Sequence, residues 1–126
     1  MSQAKFVGRE EQSSYYQVSS RKWVAKGSDV FVKEFTLAAK EEVPWHNHTN
    51  VFDVFYCIEG RLLIERIDMA TGQRLPDIDL KVGDSDKVSV GTAHRPFNPG
   101  PGVCRFLIIQ GVGDYDYIKY KPDETK

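Results

Sequence analysis

The chain has 126 residues, 17 basic and 18 acidic side chains, a formal net charge of −1 and 12% aromatic residues. This length is typical of one domain, and the Phe- and Tyr-rich composition favours a packed β core over a disordered chain. The sequence has no basic stripe, which argues against a nucleic-acid partner, and no apolar run of membrane-spanning length. It starts without an apolar signal core, so a cytoplasmic location is expected.

The first half of the chain is predicted to contain a polar arm followed by strands. Residues 1–22 are rich in Ser, Gln and Glu and indicate an N-terminal arm with one short strand near residues 15–18. Strands are predicted at residues 21–25 and 30–37, on either side of a turn cluster. A further strand at residues 51–58 alternates, and one of its faces carries Asp53, Phe55 and Cys57.

In the second half, turn residues separate more short strands. A turn at Gly60 predicts a hairpin with residues 61–67, and strands follow at 87–90, 103–112 and 115–120. The strands recur at a spacing of roughly ten residues without a long helical pattern, which indicates an all-β sandwich or barrel. Cys57 and Cys104 lie in apolar strand-like runs, and we expect buried reduced thiols rather than a disulfide.

The three histidines are the candidate functional residues. His46 and His48 are one residue apart, so an extended backbone directs both imidazoles to the same face. Nitrogen ligands aimed at one point are what a transition metal requires, and Asp53 can add an oxygen ligand. His94 lies in a second, turn-rich segment, and the fold decides whether it joins them.

Two spaced motifs resemble those of the cupin superfamily, in particular its small single-domain barrels of the cupin 2 type. The first family motif is G-x5-H-x-H-x4-E-x6-G, and its positions are occupied here by Lys40, His46, His48, Asp53 and Gly60. The second is G-x5-P-x-G-x2-H-x3-N, and its positions are occupied by Gly83, Ser89, Gly91, His94 and Asn98. The resemblance implies an all-β jelly-roll barrel in a single domain, residues 1–126, with an arm at about 1–22, the barrel at about 23–120 and a tail at 121–126.

The resemblance also implies a divalent metal bound by His46, His48 and His94. Asp53 replaces the glutamate of the family, and its side chain is shorter by one methylene. That methylene spans about 1.3–1.5 Å, whereas metal–ligand bonds tolerate only a few tenths of an ångström. Three roles for Asp53 therefore stay open: direct metal ligand, a role through a water or through a hydrogen bond to a ligand histidine, and general base beside the metal.

Imidazole and carboxylate ligands suit Fe, Mn, Ni or Zn without choosing among them. If Asp53 faces inward, Phe55 and Cys57 share its face and are candidates for lining a substrate pocket. Alternation places Arg95 opposite His94, on the surface, and allows only one of Arg105 and Gln110 to face the interior. Asn98 is expected to fix its loop by hydrogen bonds to the backbone, and Tyr115 and Tyr117 are expected to be structural.

Similar cupins include dioxygenases, isomerases, decarboxylases and lyases, so the resemblance implies a metal-dependent enzyme with a small-molecule substrate. Oxygenase-type chemistry or metal-assisted carbonyl chemistry on an organic acid is the leading expectation. The alternatives are a non-catalytic barrel that binds a metal or small ligand, and a metal-free site in which His94 and Asp53 transfer protons. A homodimer is expected, because a jelly roll leaves edge strands that a second copy can cover.

Overall fold

A computed structural model describes residues 16–122 of the chain. These residues form ten strands and no helix: β1 (Ser20–Lys26), β2 (Val30–Leu37), β3 (His46–Asn47), β4 (Phe52–Glu59), β5 (Arg61–Asp68), β6 (Gln73–Lys81), β7 (Ser85–Val88), β8 (Thr92–Phe97), β9 (Cys104–Gly111) and β10 (Ile118–Lys119). One five-stranded sheet has the order β1-β2-β9-β4-β7 and the other has the order β10-β3-β8-β5-β6.

The chain passes repeatedly between these two antiparallel sheets, which face each other as the walls of a jelly-roll barrel. Alternate side chains point inward, as the period of two in a strand requires. Side chains from both sheets form the hydrophobic core, which includes Phe35, Leu37, Phe55, Cys57, Leu62, Ile64, Cys104 and Phe106. The predicted all-β jelly-roll barrel is therefore confirmed.

Strand register decides which side chains become neighbours inside the barrel. In the first sheet Asp53 of β4 lies opposite Gln110 of β9, and Gln110 lies opposite Phe31 of β2. The next inward row runs from Phe55 through Ile108 and Lys33 to Trp23. The row after that runs from Cys57 through Phe106 and Phe35 to Arg21.

Most predicted strands lie within one or two residues of the observed ones, but four predictions need correction. Residues 16–18 form no strand, and Tyr15 lies outside the described residues. The strand predicted at 87–90 lies at 85–88, and the one predicted at 115–120 is reduced to 118–119. His94 lies within β8 rather than in a turn, and β6 was not predicted. Strand β6 is an edge strand with mostly exposed, polar residues, so it lacks a clear apolar alternation.

Two motif positions show how turns shape the barrel. Lys40 has a φ of 66°, the left-handed conformation that favours the glycine of the family motif. At Gly60 φ is 76°, and a Cβ atom there would lie 2.4 Å from the carbonyl oxygen of Val103. Gly60 is thus required both by its backbone conformation and by the close approach of the neighbouring chain.

Candidate metal centre

The four predicted ligand residues, His46, His48, Asp53 and His94, lie together at one end of the barrel. All four are buried, and one nitrogen or oxygen atom from each lies within 4.8 Å of the others. His46 of β3 pairs directly with His94 of β8 in one sheet, while Asp53 projects from β4 in the facing sheet. The centre is therefore assembled between the two sheets from strands that are distant in sequence.

Backbone carbonyl groups hold the three imidazoles in one orientation. Nδ1 of His46 lies 2.7 Å from the carbonyl oxygen of Pro44, and Nδ1 of His94 lies 3.1 Å from that of Thr92. Nδ1 of His48 contacts the carbonyl oxygen of Asp116. A carbonyl can only accept, so each Nδ1 carries the hydrogen and each Nε2 atom is left free to act as a metal ligand.

This orientation brings acceptor atoms close to each other at the centre. Oδ2 of Asp53 lies 3.0 Å from Nε2 of His94 and 3.3 Å from Nε2 of His48. Nε2 of His48 is buried and has no hydrogen-bond partner within residues 16–122. Because Nδ1 of His48 and Nδ1 of His94 carry the hydrogens, the Nε2 lone pairs of these two residues face the negative Oδ2 atom of Asp53. These three atoms repel one another unless a proton or a metal ion lies among them. The donor set fits a divalent metal on this ground.

Electrostatics keep Asp53 ionised. Burial raises the pKa of Asp53, but the close contacts of its carboxylate with the imidazoles of His48 and His94 outweigh burial and hold this pKa well below its usual range. Burial lowers the pKa of His46 well below its usual range, and the neighbouring His94 and His48 lower it further. Burial also opposes charge on His48, yet the carboxylate of Asp53 raises the pKa of His48 overall. The centre thus combines a carboxylate with a neutral His46, both of which are suitable metal ligands.

Gln110 is a residue of the centre that sequence alternation left undecided. Its Nε2 atom donates to Oδ1 of Asp53 at 2.9 Å, and both side chains are buried. This bond orients the carboxylate so that the other oxygen, Oδ2, faces the histidines. Asp53 therefore reaches the cluster despite its shorter side chain, and its direct ligation of a metal stays a prediction.

Aromatic rings surround the histidines. The ring of Tyr117 stacks on His46 with a centroid distance of 4.5 Å, and the ring of Tyr115 lies 5.4 Å from that of His48. Phe55 lies 6.1 Å from His94, edge to face. The two tyrosines, expected to be structural, therefore contact the centre. Cys57 lies one inward row further away, in the hydrophobic core, and the role of Phe55 and Cys57 in a substrate pocket stays a prediction.

The other side-chain predictions have clear outcomes. Arg95 points away from the centre and pairs with Glu65 and Glu42, and Arg105 pairs with Glu34 and Glu59 on the outer face. Asn98 donates from Nδ2 to the carbonyl oxygens of Leu37, Ala38 and Gly102, which fixes its loop as expected. Both cysteines are buried and free, as predicted.

Comparison with known families identifies the class of protein. The model of the family described as "Cupin domain" matches residues 33–110, and the chain belongs to this family. A search of curated proteins found no match. Within the described residues, no helix has the length and apolar character needed to cross a bilayer.

Solved structures share the fold at low sequence identity. An uncharacterised double-stranded β-helix protein from Klebsiella pneumoniae has a TM-score of 0.67 and 22% identity over 80% of this chain and 79% of its own. An oxalate decarboxylase has a TM-score of 0.70 and 16% identity over 82% of this chain and 28% of its own. An oxalate oxidase has a TM-score of 0.65 and 17% identity over 72% of this chain, which spans 46% of the oxidase.

Proposed function

We propose that this cupin is a divalent-metal-dependent enzyme with a small-molecule substrate, and that His46, His48, His94 and Asp53 hold the metal. The proposal is based on the arrangement of the hydrogen-bond acceptors in the centre. Three imidazoles donate from Nδ1 to backbone carbonyls, and two of their Nε2 atoms face one oxygen of the ionised Asp53. A bound cation would remove the repulsion between the Nε2 atoms and the carboxylate oxygen. Three imidazoles with one carboxylate suit Fe, Mn, Ni or Zn.

The metal would polarise a substrate oxygen or activate dioxygen, since four protein ligands leave coordination positions open. The chain's own residues would prepare the centre. Gln110 orients Asp53, and the carbonyls of Pro44, Thr92 and Asp116 fix the imidazole rings. If Asp53 is displaced from the metal, its carboxylate is placed to accept a proton from a bound substrate or water.

We further propose an organic acid as substrate and oxygenase-type or metal-assisted carbonyl chemistry as the reaction. Proteins of similar fold include an oxalate oxidase, also solved with glycolate, and an oxalate decarboxylase, which supports a small acid as substrate. An oxidoreductase assignment, a homodimer and a cytoplasmic location stay predictions. The non-catalytic alternative is a barrel that holds the metal or a small ligand without turnover.

A second candidate function is metal-free acid–base catalysis. It is favoured by the distance of 3.0 Å between Nε2 of His94 and Oδ2 of Asp53, which suits proton transfer between an imidazolium and a carboxylate. The two candidates differ in their response to chelation. Activity that survives exhaustive chelation would favour the acid–base site, whereas restoration by one added metal would favour the metalloenzyme.

The test of metal binding is elemental analysis of the full chain, purified from metal-replete medium. We expect close to one equivalent of a transition metal, and its loss in His48→Ala. Arg95→Gln is the matched control, because Arg95 neighbours His94 but points to the outer face. Full metal retention in the double variant His46→Ala/His94→Ala would contradict the proposal.

A further inference from the structure

The two sheets of the barrel have different outer faces. On the second sheet, charged side chains pair across neighbouring strands: Arg61 of β5 with Asp79 of β6, and Glu65 of β5 with Arg74 of β6 and Arg95 of β8. Ion pairs of this kind are typical of a sheet face in contact with water. The outer face of the second sheet therefore needs no partner.

The outer face of the first sheet is apolar at its centre. Buried and partly buried positions alternate along β2, β4 and β9, and the partly buried ones point outward. Six of these side chains define what we call the outer apolar face: Val32, Phe52, Val54, Tyr56, Leu107 and Ile109. Strand register places Val32, Ile109 and Val54 in one row across the three strands. Leu107 and Tyr56 lie side by side in the next row.

Charged residues lie around the outer apolar face and not at its centre. Lys87 of the edge strand β7 lies beside Phe52, with its Nζ atom 5.5 Å from the ring centroid. On another side Arg105 pairs with Glu34 and Glu59. An apolar centre within a polar rim is the usual anatomy of a protein–protein interface. Since this rim carries charges of both signs, a second copy of the face can meet it without net repulsion.

The edges of both sheets are protected against strand pairing. Strand β10 has two residues, and β7 has four, of which Asp86 and Lys87 are charged. Strand β1 has an irregular register between Trp23 and Ala25, and β6 contains Pro76 at an irregularity in its pairing with β5. Short, charged, irregular or proline-containing edge strands prevent association through sheet edges. A second copy is therefore better accommodated by the outer apolar face than by a sheet edge.

The size of the first sheet suits a dimer. At a strand spacing of about 4.8 Å and a rise of about 3.3 Å per residue, its five strands cover roughly 550 Å² in projection. Protruding side chains add to this area, so the accessible face approaches the roughly 800 Å² that each partner buries in a standard interface. Within residues 16–122, no helix or strand packs over this face. A second sheet can therefore pack on it as in a β sandwich.

We propose that this protein forms a homodimer in which the outer apolar faces of two copies pack against each other around a two-fold axis. The proposal concerns the outer side of the first sheet, and it holds whether or not the histidine cluster binds a metal. In the dimer, Val54 and Ile109 lie at the centre of the interface, and Lys87 and Arg105 lie at its rim.

Sedimentation velocity of the full chain at increasing micromolar concentrations tests the assembly, and we expect a reversible monomer–dimer equilibrium. Ile109→Lys places an unpaired charge at the interface in both copies and should raise the dimer dissociation constant by about 100-fold or more. Val54→Thr keeps the β-branched shape and should raise this constant by about tenfold. Leu63→Lys is the matched control and should leave it unchanged, because Leu63 is a partly buried apolar residue on the outer face of the second sheet.

Hydroxyl-radical footprinting of the native chain locates the interface without a substitution. Tyr56 and Met69 are 42% and 41% exposed, but only Tyr56 lies on the outer apolar face. We expect the labelling of Tyr56 to fall several-fold from dilute to concentrated protein, while the labelling of Met69 stays constant.

Three results would contradict the proposal. A native chain that stays monomeric at all these concentrations is the first. A dimer that survives Ile109→Lys, or that is lost equally in Leu63→Lys, is the second. Low labelling of Tyr56 at every concentration is the third, because it would show that another segment of the same chain covers the face.

Discussion

The two ends of the barrel are built from the same strands but carry opposite chemistry. On β4, Asp53 points into the histidine cluster of the candidate metal centre, whereas Cys57, on the same face, points into the hydrophobic core. On β9, Gln110 bonds to Asp53 at one end, and Phe106 is fully buried among apolar side chains at the other. The apolar end contributes stability, and the polar end contributes the candidate chemistry at some cost in stability.

The first prediction concerns the apolar end and has the largest effect. Phe106 packs against Phe35 and Phe55, with ring centroids 5.5 and 6.0 Å away, and its truncation leaves a cavity. We expect Phe106→Ala to lower the free energy of unfolding by about 3–5 kcal/mol, measured by urea denaturation. Metal content should stay unchanged at temperatures where the variant is folded. A loss below 1 kcal/mol would show that this end is not the stabilising core.

The second prediction concerns the polar end. Gln110→Leu removes the donor that orients Asp53, and outer partners of metal ligands typically contribute about 10–100-fold to metal affinity. We expect a loss in that range, measured by competition with a chelator, and little change in unfolding. Arg105→Gln, on the outer face of the same strand, is the control. Unchanged metal affinity in Gln110→Leu would exclude a role for this hydrogen bond.

The clustering of the three histidines with Asp53 was predicted from the sequence better than the surroundings of the cluster, and the reason is physical. Motif spacing predicted that His94 joins His46 and His48, because the jelly roll brings β3 and β8 side by side. Alternation predicted that Arg95 faces outward, since it depends only on adjacency to His94. The same alternation could not choose between Arg105 and Gln110, because a period of two does not reveal which face is buried.

Long-range contacts were beyond prediction. The carbonyl of Asp116 that orients His48 lies 68 residues away in the chain, in a segment with no motif of its own. Tyr115 and Tyr117 likewise reach the centre only through the final crossover to β10. The burial of Lys33 beside Trp23 likewise depends on the register between β1 and β2, which no local pattern predicts.

A third prediction concerns the loop that follows β2 at the apolar end of the barrel. Lys40 adopts the left-handed conformation with a φ of 66°, which costs a non-glycine residue about 1 kcal/mol. Lys40→Gly should therefore stabilise the chain by up to about 1 kcal/mol, reduced by the loss of the hydrogen bond from Nζ to the carbonyl of Pro99. Gly60→Ala is the opposite control and should destabilise it. A destabilised Lys40→Gly variant would show that the lysine contact outweighs the strain.

The smallest predicted effect is a pH dependence at Glu41. Burial alone would raise the pKa of Glu41, but hydrogen bonds from the amide of Ala38 and from Ser19 lower it overall. The ionised side chain therefore stabilises the fold above the ordinary pKa of 4.5 and loses this contribution as pH falls through the lowered value. Thermal unfolding should show a smaller drop from pH 7 to acid in Glu41→Gln than in the native chain. An identical drop would contradict this account.

We propose that the polar end of the barrel holds one divalent metal through His46, His48, His94 and Asp53. Metal-to-protein stoichiometry, measured on the native chain and on His46→Ala/His94→Ala after reloading with a single metal, tests it most directly. We expect one equivalent in the native chain and essentially none in the double variant, with both proteins folded. Equal stoichiometry in the two would contradict it.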